Sequence, residues 1–255
     1  MKYKALTVDV DRTLVTSKKA LPTKKVKDAI LKAKKEKDIY ISLATARPYT
    51  QIKDICNDLQ LAGLSVVSGG AQVVDMQTGS IYREYCLSFK TVQDIARIVT
   101  NFDPNITFWV QDNNIDHPMN NSYKPHKPFV MVISNLTKEQ VNEIKNRLAQ
   151  LTGIFVTKTK SYNKGLIDLN ITDEHATKQN GIAAIAEKLH LTKEQIIAVG
   201  DGHNDHPLLQ ASGLKIAMGN AVDEIKEIAD YTAPSVDEDG LAHVIQKYFF
   251  NQVQQ

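Results

Sequence analysis

Cysteine is scarce in this chain of 255 residues: Cys56 and Cys86 are the only two. Two thiols are too few for a disulfide framework or a Cys-rich zinc site. An excess of one charge is also missing, since 31 Lys and Arg face 29 Asp and Glu, for a formal net charge of +2. That balance excludes a strongly basic nucleic-acid binder and an acidic tail protein. No apolar run approaches the length of a transmembrane helix. The acid at Asp9 arrives before any stretch that could serve as a signal-peptide core. No internal repeat or low-complexity segment stands out. The expectation is a reduced, cytoplasmic protein with no nucleic-acid or membrane partner, working as a monomer or small homo-oligomer.

What is present is ordinary globular usage, 42% hydrophobic and 24% charged, enough to build a core without staples. The length suits one large domain or a domain carrying an insertion. Residues 5–10 read as a buried strand that ends in Asp9 and Asp11. Thr23 is the expected N-cap of a helix with Val26, Ile30 and Ala33 on one face. Its lysines, Lys24, Lys25, Lys32 and Lys35, read as a solvated face. Residues 39–44 form a second strand, which runs into Thr45-Ala46-Arg47-Pro48 and a helix carrying Ile52, Ile55 and Leu59. Residues 64–67 are a third strand, broken by Gly69-Gly70. Residues 72–75 and 80–84 read as a hairpin.

From Cys86 the texture changes. Phe89, Val92, Ile95 and Val99 mark a helix, residues 106–110 and 129–133 strands, and 111–128 a long polar loop. Thr137 and Gln140 form a capping box before a helix with Val141, Ile144 and Leu148 inside. Residues 154–157 and 166–170 are two more strands. The alternating pattern resumes at Thr177, with helical Ile182, Ile185 and Leu189 and a strong strand at 195–199. The expected fold is α/β: a doubly wound, parallel, Rossmann-like sheet core, from residues 1–84 and 174–255, with an α+β domain inserted at 85–173.

Open parallel sheets bind ligands beyond the carboxyl ends of their strands. Asp9, Asp11, Thr45 and Asp201 all fall at such ends. In extended chain, Asp9 and Asp11 face the same way. Two such acids repel and need a cation, a shared proton or both. Mg²⁺ prefers oxygen ligands of this kind. Gly200-Asp201-Gly202-His203-Asn204-Asp205 adds a tight turn and two more carboxylates after another strand. Thr45 and Lys178 supply a hydroxyl and an ammonium that suit a phosphoryl group. The set as a whole points to metal-assisted phosphoryl chemistry.

The motifs Asp9-Val-Asp11-Arg-Thr13-Leu14, Ala44-Thr45-Ala46-Arg47, Lys178 and Gly200-Asp201-Gly202-His-Asn204-Asp205 resemble the four ordered motifs of the haloacid dehalogenase-like hydrolases. The insertion resembles the type C2 cap of the Cof-type, subclass IIB phosphatases. Met218-Gly-Asn-Ala221 and Glu238-Asp-Gly-Leu241 resemble that group's C-terminal pattern. The resemblance implies an Mg²⁺-dependent phosphatase of small phosphorylated metabolites, foremost sugar phosphates, acting through an aspartyl-phosphate. It implies Asp9 as nucleophile and Asp11 as acid and base. Asp9, the backbone carbonyl of Asp11 and Asp201 would hold Mg²⁺, with Asp205 supporting them. Thr45, Arg47, Lys178 and Asn204 would contact phosphate. Cap closure would exclude water, and His117, Asn120, Asn121 and Lys124 are the candidate leaving-group contacts. Three positions depart from the family pattern: Arg12 and Ala46 replace glycines, and Gly69 stands where Asn is common. A phosphomutase, and a non-hydrolytic phospho-accepting signalling module, are the alternatives for the same groups.

Overall fold

A computed structural model of the chain describes residues 2–16, 20–112, 115–118 and 126–251. Along the chain, β1 (Ala5–Val8), α1 (Lys24–Lys37), β2 (Tyr40–Leu43), α2 (Tyr49–Asp58), β3 (Leu64–Val67), β4 (Gln72–Asp75) and β5 (Ile81–Glu84) come first. Then follow α3 (Phe89–Phe102), β6 (Phe108–Asp112), β7 (Ile115–Pro118), β8 (Pro128–Leu136), α4 (Lys138–Leu148), β9 (Ile154–Lys160) and β10 (Ile167–Asp173). The last part holds α5 (Lys178–Leu189), β11 (Ile196–Gly200), α6 (His206–Gln210), β12 (Leu214–Ala217), α7 (Asp223–Ile228), β13 (Tyr231–Thr232) and α8 (Gly240–Ile245). These elements form two compact units, Met1–Arg83 with Thr177–Gln255, and Glu84–Ala176.

The first unit is built on a sheet of order β13-β12-β11-β1-β2, and every pairing in it is parallel. All four residues of β1 are buried, as a strand covered on both faces requires. Leu6, Val8, Ile41, Leu43, Ile197 and Val199 pack on the side of α1 and α8. Ala5, Ile196 and Ala198 pack on the side of α5 and α6. Thr7, the polar residue of β1, satisfies its hydroxyl on Ser42 Oγ at 2.9 Å. The doubly wound α/β expectation is therefore met. Thr23 caps α1 as its sequence position indicated, accepting the Val26 N–H at 3.3 Å.

The third strand takes its ladder partner outside the parallel sheet. β3 pairs antiparallel with β4, in a separate sheet of order β3-β4-β5. Beside β2 it makes the parallel bridge Ala44↔Val66, and the Leu43 N–H of β2 donates to Ser65 Oγ at 3.0 Å. The cause is the glycine turn. Gly69 and Gly70 have φ of 70° and 114°, which fold the chain straight back onto β3. β1 also stops at Val8, two residues short of the expected end.

The second unit has a five-stranded antiparallel sheet of order β7-β6-β8-β10-β9. Val92, Ile95 and Val99 of α3 and Val141, Ile144 and Leu148 of α4 pack on Val110, Met131, Ile133, Leu169 and Ile171. The capping box of Thr137 and Gln140 is formed. The expected loop at 111–128 is shorter than read, because β7 pairs with β6 inside it. A four-residue strand of mixed polarity carries too little period-two signal to stand out from a loop. His117 lies on β7, while Asn120, Asn121 and Lys124 fall outside the described residues.

Gly70 also touches the start of α5: a methyl built there would stand 2.2 Å from the Thr177 carbonyl carbon. Gly70→Ala combines that overlap with a φ that side chains resist. It should cost about 2–4 kcal/mol, read as a lower urea midpoint at unchanged m-value.

Candidate active site

β1 and β11 end side by side, with Val8 paired to Val199. The residues after each strand therefore leave the sheet at one edge. The Asp9 N–H donates to the Val199 carbonyl at 3.0 Å, and this pins Asp9 just beyond the sheet. β2 ends at the same edge, where the Ala44 N–H donates to the Val8 carbonyl at 2.9 Å. Thr45 follows immediately and is fully buried.

Lys178 opens α5. Its N-cap Thr177 accepts the Asn180 N–H at 3.1 Å. The ammonium is buried and donates to Asp9 Oδ1 at 2.7 Å and to Asp205 Oδ1 at 2.6 Å. The other oxygen of Asp205 accepts the backbone N–H groups of Asp201 and Gly202, both at 2.9 Å. Gly200 makes room for this: a Cβ there would come within 2.6 Å of Asp205 Cβ. Asp201 is likewise buried. Its Oδ1 accepts the Thr13 hydroxyl at 3.0 Å, and its Oδ2 faces Asn220 Nδ2 at 3.4 Å and Arg12 Nε at 3.6 Å. Asp9, Asp201 and Asp205 each present an oxygen within 4.8 Å of the others.

Asp11 is not one of these three clustered acids. Its side chain is 55% exposed and is held by Arg47, with Nε donating to Oδ2 at 3.0 Å and Nη2 to Oδ1 at 2.5 Å. The backbone turns here: the Leu14 and Val15 N–H groups both donate to the Val10 carbonyl. Thr45 Oγ1 accepts the Arg47 N–H at 3.1 Å, which leaves its hydroxyl proton free to donate elsewhere. Asn204 sits on the single turn His203–Asp205, with its side-chain oxygen over Gly202. Thr13 and Asn220 hold Asp201, and the sequence signals neither beyond its place in the stretches Asp9–Leu14 and Met218–Ala221.

The electrostatics follow from burial. Desolvation, reinforced by the charge of Asp205, pushes Asp9 up to about 8. The same two causes push Asp201 up to about 6, against the Thr13 hydrogen bond and the Arg12 charge. Burial alone would depress Lys178, but Asp205 and Asp9 outweigh it and hold the ammonium protonated. Three buried carboxylates thus face one buried ammonium. That surplus of negative charge fits a hard divalent cation such as Mg²⁺. Asp205 is held through both oxygens by three bonds of 2.6–2.9 Å, whereas the partners of Asp201 Oδ2 stand at 3.4 and 3.6 Å, so Asp9 and Asp201 are the ones better able to ligate. Burial pushes the thiols of Cys56 and Cys86 up to about 11, so neither is a nucleophile at neutral pH. A surface cavity of about 420 Å³ lined by Tyr40, Leu64, Ile81 and Leu189 opens at the other ends of the strands and holds none of this chemistry.

A sequence model of the haloacid dehalogenase-like hydrolases matches residues 6–127 and 111–245. The chain belongs to that family, and it is a phosphatase of the haloacid dehalogenase type. It is 27% identical over 275 residues to the stress response protein YhaX of Bacillus subtilis, covering 98% of this chain and 94% of that protein. It is 26% identical over 249 residues to the 5-amino-6-(5-phospho-D-ribitylamino)uracil phosphatase YcsE of the same organism, covering 96% and 95%. Its fold matches the subclass IIB sugar phosphatase BT4131 with a TM-score of 0.78 at 20% identity, covering 96% and 98%.

A raised carboxyl makes stability depend on pH with a definite sign. Asp9 ionises near 3.8 when unfolded and near 8 when folded. Between those values the folded chain binds a proton that the unfolded chain has lost, so stability falls as pH rises. In chelator, the melting temperature should drop from about pH 5 to about pH 8, and Mg²⁺ should raise it more at the higher pH. Equal Mg²⁺ effects at both pH values would contradict the assignment.

Proposed function

We propose that the chain is an Mg²⁺-dependent phosphatase of small phosphorylated metabolites, sugar phosphates foremost, acting through an aspartyl-phosphate on Asp9. The observation that carries this reading is the buried Asp9 carboxylate, pinned through one oxygen by Lys178 and flanked by Asp201. Asp9, Asp201 and the backbone carbonyl of Asp11 are the groups that would hold Mg²⁺. Bound there, Mg²⁺ offsets the repulsion between Asp9 and a phosphate dianion and keeps Asp9 ionised. The substrate class is supported by two relatives, one named for a phosphorylated ribityl compound and one for sugar phosphates. A reducing cytoplasmic setting suits the two free cysteines, and no helix among the described residues is long and apolar enough to cross a membrane.

The chemistry divides into two displacements. Lys178 holds Asp9 Oδ1, so Oδ2 attacks phosphorus while the bond from phosphorus to the leaving oxygen breaks. Asp11 gives its proton to that oxygen, which departs as the alcohol. Water then attacks the aspartyl-phosphate as Asp11 takes one of its protons. The bond to Asp9 breaks and inorganic phosphate leaves. Thr45 donates its hydroxyl to a phosphoryl oxygen, and Lys178 and Asn204 add donors as charge develops. Asp205 aims Lys178 and does no chemistry itself. Arg47 must let go of Asp11 for the proton transfer, and the phosphate dianion is the competing partner that draws the guanidinium away. Leaving-group selectivity is assigned to the inserted unit, 84–176.

The test is phosphate release from a panel of sugar phosphates, nucleotides and cofactor phosphates, with Mg²⁺ and with EDTA. Asp9→Asn should lose at least about 10³-fold in kcat, while its circular dichroism stays that of wild type. Near-normal release by that variant would overturn the reading. Conversion of a sugar phosphate to its isomer, without phosphate release, would show a mutase instead.

A further inference from the structure

Arg12 occupies a position where the backbone favours glycine. Its φ is 64°, in the left-handed region that side chains other than Asn and Asp enter at a cost. Specific contacts hold it there. Arg12 Nη2 donates to the Asn220 carbonyl at 3.2 Å, and Asn220 Nδ2 donates back to the Arg12 carbonyl at 2.9 Å. Asn220 Oδ1 in turn accepts the Val236 N–H at 2.8 Å. The clasp thus joins the loop after β1, the loop after β12 and the turn before α8. It also brings Arg12 Nε to 3.6 Å from Asp201 Oδ2.

The acidic cluster therefore has two cations of different kinds. Lys178 is buried and makes two short bonds, to Asp9 and Asp205. Arg12 is 46% exposed and faces Asp201 at longer range. A positive charge at that place opposes any second cation drawn to the same carboxylate. We propose that Arg12 is a tuning residue that holds down the affinity of the site for its divalent cation by answering Asp201 from the solvent side. The inference rests on the reading of Asp201 as a cation ligand. Removing the guanidinium does not release Asp201, because Thr13 still holds Oδ1 and Asn220 still faces Oδ2. Loss of the charge should therefore tighten binding instead of loosening it.

The experiment uses the full-length protein, stripped with EDTA, and reads Mn²⁺ binding by electron paramagnetic resonance and Mg²⁺ binding by calorimetry. Arg12→Gln and Arg12→Gly should bind both ions about tenfold more tightly than wild type, the size of one unit charge acting on a divalent ion across partly screened solvent. Arg12→Lys, which keeps the charge, should stay within about twofold on the same Coulomb argument. The gap between Gln and Arg should narrow at high salt, since the guanidinium is partly exposed. Arg12→Gly suits the left-handed backbone and keeps the test open if the Gln variant folds poorly. Unchanged or weaker binding in both neutral variants overturns the proposal. Wild-type binding by Asp201→Asn overturns the ligand reading beneath it, so the two failures are told apart.

Discussion

The ammonium of Lys178, buried between Asp9 and Asp205, is the contact on which the rest of the site depends. Among the described residues it is the one buried cation facing the three buried carboxylates of the site. Deleting it would leave charge in the interior with nothing to answer it, the expensive way to break a buried pair. Its position is over-determined. Thr177 caps the helix that Lys178 opens, Gly70 lets that helix start close against the turn after β3, and Asp205 is braced by two backbone N–H groups. Several independent restraints thus fix one nitrogen, as a preorganised electrostatic site needs.

The glycines serve this geometry in two ways. Gly70 contributes an unusual backbone angle and a close approach. Gly200 contributes absence alone, since the space of its missing side chain is filled by Asp205. Arg12 is the opposite case, a long side chain at a glycine-like angle, kept there by a reciprocal clasp with Asn220. The same loop therefore combines a strained residue with the hydroxyl of Thr13, which aims Asp201.

Much of this was legible in the residues. Periodicity located the core strands and the helices α1 to α5. Side-chain chemistry located the caps at Thr23 and Thr137; the cap at Thr177 is a finding of the structure. Placing acids at strand ends brought Asp9, Asp201 and Asp205 to one edge. What was not legible depended on the path of the chain between elements. A common face for Asp9 and Asp11 presumes a strand running to Asp11, and β1 stops at Val8. The signal of a buried strand at β3 does not say which neighbour it takes; the turn at Gly69-Gly70 decides that. Asn220 and Arg12 are 208 positions apart, and no local pattern could pair them.

The pairing of β1 with β11 has a consequence in time. Ala5 lies beside Ile196, so β1, an interior strand of the sheet, is made long before one of its two partners. Until then β1 and β2 present an open edge to the cell, the kind of surface that invites pairing with foreign strands. The intervening unit, Glu84–Ala176, has a core of its own and is complete before the sheet can close. Activity on the ribosome is therefore impossible until β11 has emerged. A nascent chain stalled after the inserted unit would carry Asp9 with neither Lys178 nor Asp201 to meet it.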